Sequence, residues 1–139
     1  MAVSDNFCIF VVEDQADDLY FLKRALRQAG VSRPIIVAED GEEALAYLAG
    51  YPDGSAPPPA LMLLDLEIPR LSGFEVLSGV RKNPSLSHLP IIVFSDSDNV
   101  SDIQRALELG ATGYRVKPSR AEDLIPLAKE IAASLPCGA

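Results

Sequence analysis

Six residues of this chain have the chemical types and the positions needed for phosphoryl chemistry. Glu13 and Asp14 follow the apolar run FCIFVV, and Asp65 follows ALMLL with Glu67 two residues on. Ser95 follows IIVF, and Lys117 follows GYRV, just before Pro118. Each polar group stands where a run of core-type residues stops. A carboxylate beside a buried run is costly unless something pairs with it. If these runs end at one edge, three carboxylates, a hydroxyl and an ammonium converge there. Converging acids repel and raise one another's pKa, and a hard cation such as Mg²⁺ relieves this through oxygen ligands. Lys117 would supply the remaining positive charge. Metal and ammonium together neutralise a phosphoryl group in transfer, and a carboxylate can be its nucleophile, forming an aspartyl phosphate.

The elements that must position these residues are legible as alternating patterns. Strands are predicted at 7–12, 35–38, 60–64, 91–94 and 113–116, separated by helical periodicity. Leu19, Leu22, Leu26 and Ala29 mark one face of a first helix, stopped by Gly30. Ala44, Leu45 and Leu48 mark a second. Ser72 can cap a third, which carries Phe74, Val76, Leu77 and Val80 and ends near Asn83-Pro84. Ile103, Ala106 and Leu107 belong to a fourth, ended by Gly110. Ser119 and Glu122 stand in capping-box spacing before a fifth, in which Pro126 predicts a kink or an irregular first turn.

Strand–helix alternation predicts an α/β fold, a flavodoxin-like (βα)5 three-layer sandwich with a parallel sheet in the order 2-1-3-4-5. The first, third and fourth strands are almost wholly apolar, as central strands must be. Ligands of such sheets bind beyond the carboxyl ends of the strands, which is where the six residues fall. Taken singly, Asp14 can be a helix cap, Glu13 a solvated acid, Ser95 a loop residue, Asp65 a turn residue and Lys117 a surface lysine. Four strands ending this way together favour the chemical reading.

Composition narrows the classes further. The 139 residues, 48% apolar and 23% charged, are those of one globular domain able to bury a core. The Pro- and Gly-rich stretch YPDGSAPPP (51–59) reads as a surface loop, not a linker, so residues 1–139 are expected to form one unit with a core at about 7–135. A formal charge of −8 without any Lys/Arg cluster argues against direct nucleic-acid binding. No apolar run approaches the roughly 18 residues of a membrane span. The N-terminus, MAVSDNFCIFVVED, lacks a basic n-region and predicts a cytoplasmic protein. Cys8, in a core strand, and Cys137, in the tail, fit no metal or disulfide spacing. His88, in the polar loop NPSLSH, reads as a surface residue.

The motifs VVED (11–14), LLDLEIPRLSGFEVL (63–77), PIIVFS (90–95) and GYRVKP (113–118) give the chain a family likeness. From about Phe7 to Leu135 it resembles the receiver domain of a two-component response regulator. The resemblance implies that Asp65 is the phosphoacceptor. It makes Glu13, Asp14, Asp65 and the backbone carbonyl of Glu67 the Mg²⁺ ligands. Lys117 would contact the phosphoryl oxygens through a cis Lys117–Pro118 peptide, Ser95 would be the switch hydroxyl, and Tyr114 the aromatic rotamer switch. Such a protein catalyses its own phosphorylation and dephosphorylation without being a dedicated turnover enzyme.

The loop at 51–59 and the lack of an effector domain resemble the single-domain group that works beside bacterial phytochromes. The implied partners are a sensor histidine kinase, such as a bacteriophytochrome, and an unknown downstream protein. Two copies could pair through helix 4, strand 5 and helix 5. Asp96 departs from the family pattern, which has a small residue there, and is expected to modulate the reaction rates.

Three other functions compete. A phosphatase of the haloacid-dehalogenase type has paired acids like Asp65-Leu66-Glu67, but after its first strand. A flavin carrier wants a hydroxyl- and Gly-rich loop after the first strand, the opposite of EDQADD (13–18). A degenerate receiver serving only as an interaction module would not need the intact Asp65 and Lys117.

Overall fold

The computed structural model describes residues 7–50 and 59–135. Strands β1 (Cys8–Val12), β2 (Ile35–Ala38), β3 (Pro59–Leu64), β4 (Ile91–Ser95) and β5 (Gly113–Val116) alternate with five α-helices. These are α1 (Ala16–Gln28), α2 (Gly41–Gly50), α3 (Gly73–Arg81), α4 (Val100–Glu108) and α5 (Leu124–Ser134). The strands form one parallel sheet in the order β2-β1-β3-β4-β5, the flavodoxin-like arrangement expected from the alternation. Residues 51–58 of the expected surface loop, and Cys137, lie outside the described residues.

The two-residue period of the strands sorts the core into two layers. Phe10, Val12, Met62, Leu64, Ile91 and Val93 face Ala44, Leu48, Val76, Leu77, Val80 and Ala106 of α2, α3 and α4. Their neighbours Ile9, Val11, Leu61 and Leu63 face Leu22 and Leu26 of α1 and Ala128 and Ile131 of α5. The central strands are therefore apolar on both faces because both faces are covered. Each fully buried aliphatic side chain stabilises the fold by about 1.5–3 kcal/mol. Cys8 is buried in β1, 3.7 Å from the Tyr47 hydroxyl.

Helix ends follow local chemistry. Ser72 caps α3 in a full capping box: its Oγ accepts from the Glu75 N–H at 3.2 Å, and the Glu75 carboxylate accepts from the Ser72 N–H at 3.0 Å. Gly30 and Gly110 follow α1 and α4 at φ +95° and +111°, a conformation that favours glycine. The capping box expected of Ser119 and Glu122 is not what opens α5. A 3-10 turn at Ala121–Asp123 precedes the helix, with Arg120 at its cap position and no side-chain cap bond. Pro126 consequently falls in the first turn of α5, where backbone N–H groups have no intrahelical partner to lose. The irregular first turn expected from Pro126 is thus present.

Candidate functional site

Three backbone bonds extend the ladder past the strands and bring the polar residues level. Glu13 N–H donates to the Ala38 carbonyl at 3.0 Å, Asp65 N–H to Val12 at 3.1 Å, and Lys117 N–H to Ser95 at 2.8 Å. The carboxyl ends of β1, β3, β4 and β5 therefore share one edge. Gly73 lets the start of α3 close against it, since a Cβ there would stand 2.5 Å from the Asp65 carbonyl oxygen.

Lys117 is the centre of the cluster. Its Nζ lies 2.7 Å from Glu13 Oε1, 2.9 Å from Asp18 Oδ2 and 3.0 Å from Asp65 Oδ2. The side chains of Lys117, Glu13 and Asp65 are 3–5% exposed, whereas that of Asp18 is 42% exposed. The second oxygens of Glu13 and Asp65 are also engaged: Glu13 Oε2 accepts from the Gln15 N–H at 3.1 Å, and Asp65 Oδ1 from the Glu67 N–H at 3.2 Å. Buried ions persist when paired and hydrogen-bonded in this way.

Burial pushes the Glu13 carboxyl up to about 7, against the bond from Lys117, and the charge of Asp65 adds to the rise. Burial alone would lower the Lys117 pKa, but its bonds to Glu13, Asp18 and Asp65 outweigh that, and the ammonium is held charged above its ordinary value.

Asp14 behaves differently. Its Oδ1 is buried without a hydrogen-bond partner. Nor does Asp14 cap α1: the cap position is held by Gln15, which makes no side-chain cap bond. Oxygens of Glu13, Asp14 and Asp65 lie within 4.8 Å of one another. Three carboxylates thus pair with a single ammonium, and a fourth, Asp14, stands beside two of them. An unpartnered buried oxygen in an all-oxygen donor set fits a hard divalent cation, so Glu13, Asp14 and Asp65 can hold a metal.

The hydroxyl side of the edge is a short network. Ser95 is fully buried, and its Oγ accepts from the Ser97 N–H at 3.2 Å. The Ser97 carbonyl accepts from the Tyr114 hydroxyl at 2.8 Å, and Ser97 Oγ donates to Asp102 Oδ2 in α4 at 2.7 Å. Half-buried Tyr114 is seated against the core layer of α2, α3 and α4. Asp96 is exposed at the start of the β4–α4 loop.

The expected cis peptide is a correction. Among the described residues no peptide bond is cis, so Lys117–Pro118 is trans. Trans is the lower-energy form of an X–Pro bond by about 0.5–1 kcal/mol, and Lys117 reaches all three carboxylates from it. Two residues, Asp18 and Ser97, were not foreseen as part of the site. Asp18 enters the site only because the fold brings it to Lys117, 99 positions away in the chain. Ser97 meets Ser95 and Tyr114 through its backbone N–H and carbonyl, which no residue type announces.

The described features match a known family. A model of the response regulator receiver domain covers residues 9–129. The chain belongs to the response regulator receiver domain family. The probable methanogenesis regulatory protein FilR2 of Methanothrix harundinacea is 33% identical over 131 residues, 94% of this chain and 84% of that protein. The phosphorylated cyanobacterial phytochrome response regulator RcpA superposes with a TM-score of 0.84 at 33% identity, covering 96% of each chain. The Mn²⁺-bound response regulator Rcp1 superposes with a TM-score of 0.82 at 30% identity, covering 94% of this receiver and 99% of Rcp1. This receiver is therefore a response regulator of two-component signalling. No helix among the described residues is long and apolar enough to cross a membrane.

Proposed function

We propose that Asp65 accepts a phosphoryl group from a phosphohistidine of a sensor histidine kinase, in a Mg²⁺-dependent reaction. The observation that carries this reading is the convergence of Lys117, Glu13, Asp14 and Asp65. A carboxylate oxygen of Asp65 attacks phosphorus, and the P–N bond to the histidine breaks. Its electron pair stays on the imidazole nitrogen, which takes up a proton. Lys117 neutralises charge on the phosphoryl oxygens as they arrive, and the buried walls restrict water. When bound by Glu13, Asp14, Asp65 and the Glu67 carbonyl, Mg²⁺ supplies the further positive charge that the transfer requires. Hydrolysis of the acyl phosphate at the same site resets the protein.

Ser95 then turns toward the phosphoryl group, and the Ser97–Tyr114 contact carries the change to the face formed by α4, β5 and α5. That face exposes Val100, Leu107 and Val116 and serves the downstream partner or a second copy of the chain. Residues 1–139 act as one cytoplasmic receiver unit. The likeness to RcpA, a phytochrome response regulator, supports a phytochrome-type kinase as donor.

The test is incubation with phosphoramidate and Mg²⁺ followed by intact mass. One base-labile phosphoryl adduct is expected, absent from Asp65→Asn. Undiminished labelling of that variant would overturn the assignment.

A further inference from the structure

The Lys117 ammonium has three N–H donors, and three carboxylates occupy them. A phosphoryl group on Asp65 therefore inherits the donor that Asp65 holds, and gains a second Lys117 contact only by displacing Glu13 or Asp18. The three are not equally held. Glu13 is 3% exposed and its second oxygen is tied to the Gln15 N–H. Asp65 is the reacting group itself. Asp18 is 42% exposed, stands in the first turn of α1, and borders a cleft of about 180 Å³ with Phe21, Lys117 and Pro118. Water can take up the Asp18 carboxylate far more readily than that of Glu13, because the Asp18 side chain is already partly solvated. Moving Glu13 instead would strand a buried charge.

We infer that Asp18 is a positioning residue that occupies the phosphoryl place on Lys117 until Asp65 is phosphorylated, and is then the partner released. This rests on Asp65 being the phosphoacceptor, as proposed above. It follows that Asp18 opposes the reaction in two ways: it must vacate the ammonium, and it repels the incoming anion. Its release also frees the first turn of α1 from the end of β5, 99 residues away in the chain.

The experiment measures phosphorylation by phosphoramidate and Mg²⁺ in wild type, Asp18→Asn and Asp17→Asn, together with the NMR signal of the Lys117 side chain. Asp17→Asn removes the same unit charge from the same helical turn. Asp18→Asn should react about three- to fivefold faster, a modest factor for a pair with one partly solvated partner, and Asp17→Asn distinctly less so. The Lys117 signals of wild type and Asp18→Asn should differ before phosphorylation and coincide after it. Equal acceleration by both variants, or a Lys117 difference that persists in the phosphorylated proteins, would overturn the role of Asp18. A wild type that takes no label would instead sink the assignment of Asp65, so the two failures are distinguishable.

Discussion

Asp14 and Asp65 face each other across the ends of β1 and β3, with carboxylate oxygens within 4.8 Å, yet only Asp65 is tied to the protein on both oxygens. Asp14 Oδ1 is left over, buried and without a partner. An arrangement that keeps an acid unpaired beside another acid costs stability unless a cation joins them.

Replacing Asp14 with Ala should therefore separate metal binding from folding. Mg²⁺ affinity, measured by calorimetry, should fall at least about tenfold. The melting temperature in EDTA should not fall, because the orphaned oxygen makes no hydrogen bond to lose. A stability loss with unchanged metal affinity would make Asp14 a structural residue.

Glu13 predicts how stability depends on pH. Its folded pKa, about 7, lies above the ordinary carboxylate value because of burial. The folded state thus binds the Glu13 proton more tightly than the unfolded state. The resulting stabilisation is complete below the unfolded pKa and is lost as pH rises toward about 7. The slope cannot exceed roughly 1.4 kcal/mol per pH unit. Denaturant unfolding in EDTA between pH 5 and 8 should show this fall in wild type and lose it in Glu13→Gln. Saturating Mg²⁺ favours the ionised carboxylate and should flatten the wild-type curve as well. Parallel curves for the two proteins in EDTA would refute it.

The fold was open to sequence reading because its two periodicities are simple. Apolar runs of four to six residues, such as LMLL (61–64), are too short for helices and read as strands covered on both faces, with helical faces alternating between them. The site followed from where those runs stop. Local bonding at chain reversals was less accessible. Ser119 and Glu122 have the residue types of a capping box, but the chain makes a 3-10 turn at 121–123 instead. Asp18 was hidden for another reason: its partner Lys117 lies 99 positions away, and only the closed fold brings them together. The Lys117–Pro118 bond is trans where the family likeness implies cis, in keeping with the ordinary preference of an X–Pro bond.

Tyr114 should report the switch. Its hydroxyl is bonded to the Ser97 carbonyl, and the Ser97 N–H is bonded to Ser95 Oγ. Movement of Ser95 toward a phosphoryl group disturbs the second bond and, through one residue, the first. The Tyr114 ring signals should shift on phosphorylation, and Tyr114→Phe should shift the α4 signals less while labelling at a similar rate. Loss of that one hydrogen bond costs about 1 kcal/mol, too little to unfold the domain. A Tyr114 environment unchanged by phosphorylation would remove it from the switch.

Asp96 sets the last expectation, where this receiver departs from its family. It follows the buried Ser95 at the end of β4 and is itself exposed, so its charge lies on the solvent side of the edge that carries Asp65. A small residue at this position leaves the approach to that edge open; an aspartate adds bulk and negative charge. A unit charge about 10 Å from a dianion in water costs about 0.8 kcal/mol, or roughly fourfold in rate. Asp96→Ala should accordingly raise the rate of phosphorylation by a small anionic donor by about two- to fourfold at low salt. Autodephosphorylation should also quicken, through reduced bulk, since water carries no charge to repel. The two causes separate with ionic strength: the charge effect fades above about 0.1 M salt, where the screening length drops below about 10 Å, and the steric effect does not. Because the side chain is exposed, stability should change by less than about 0.5 kcal/mol. Unchanged rates at both salt concentrations would leave Asp96 as an ordinary surface residue.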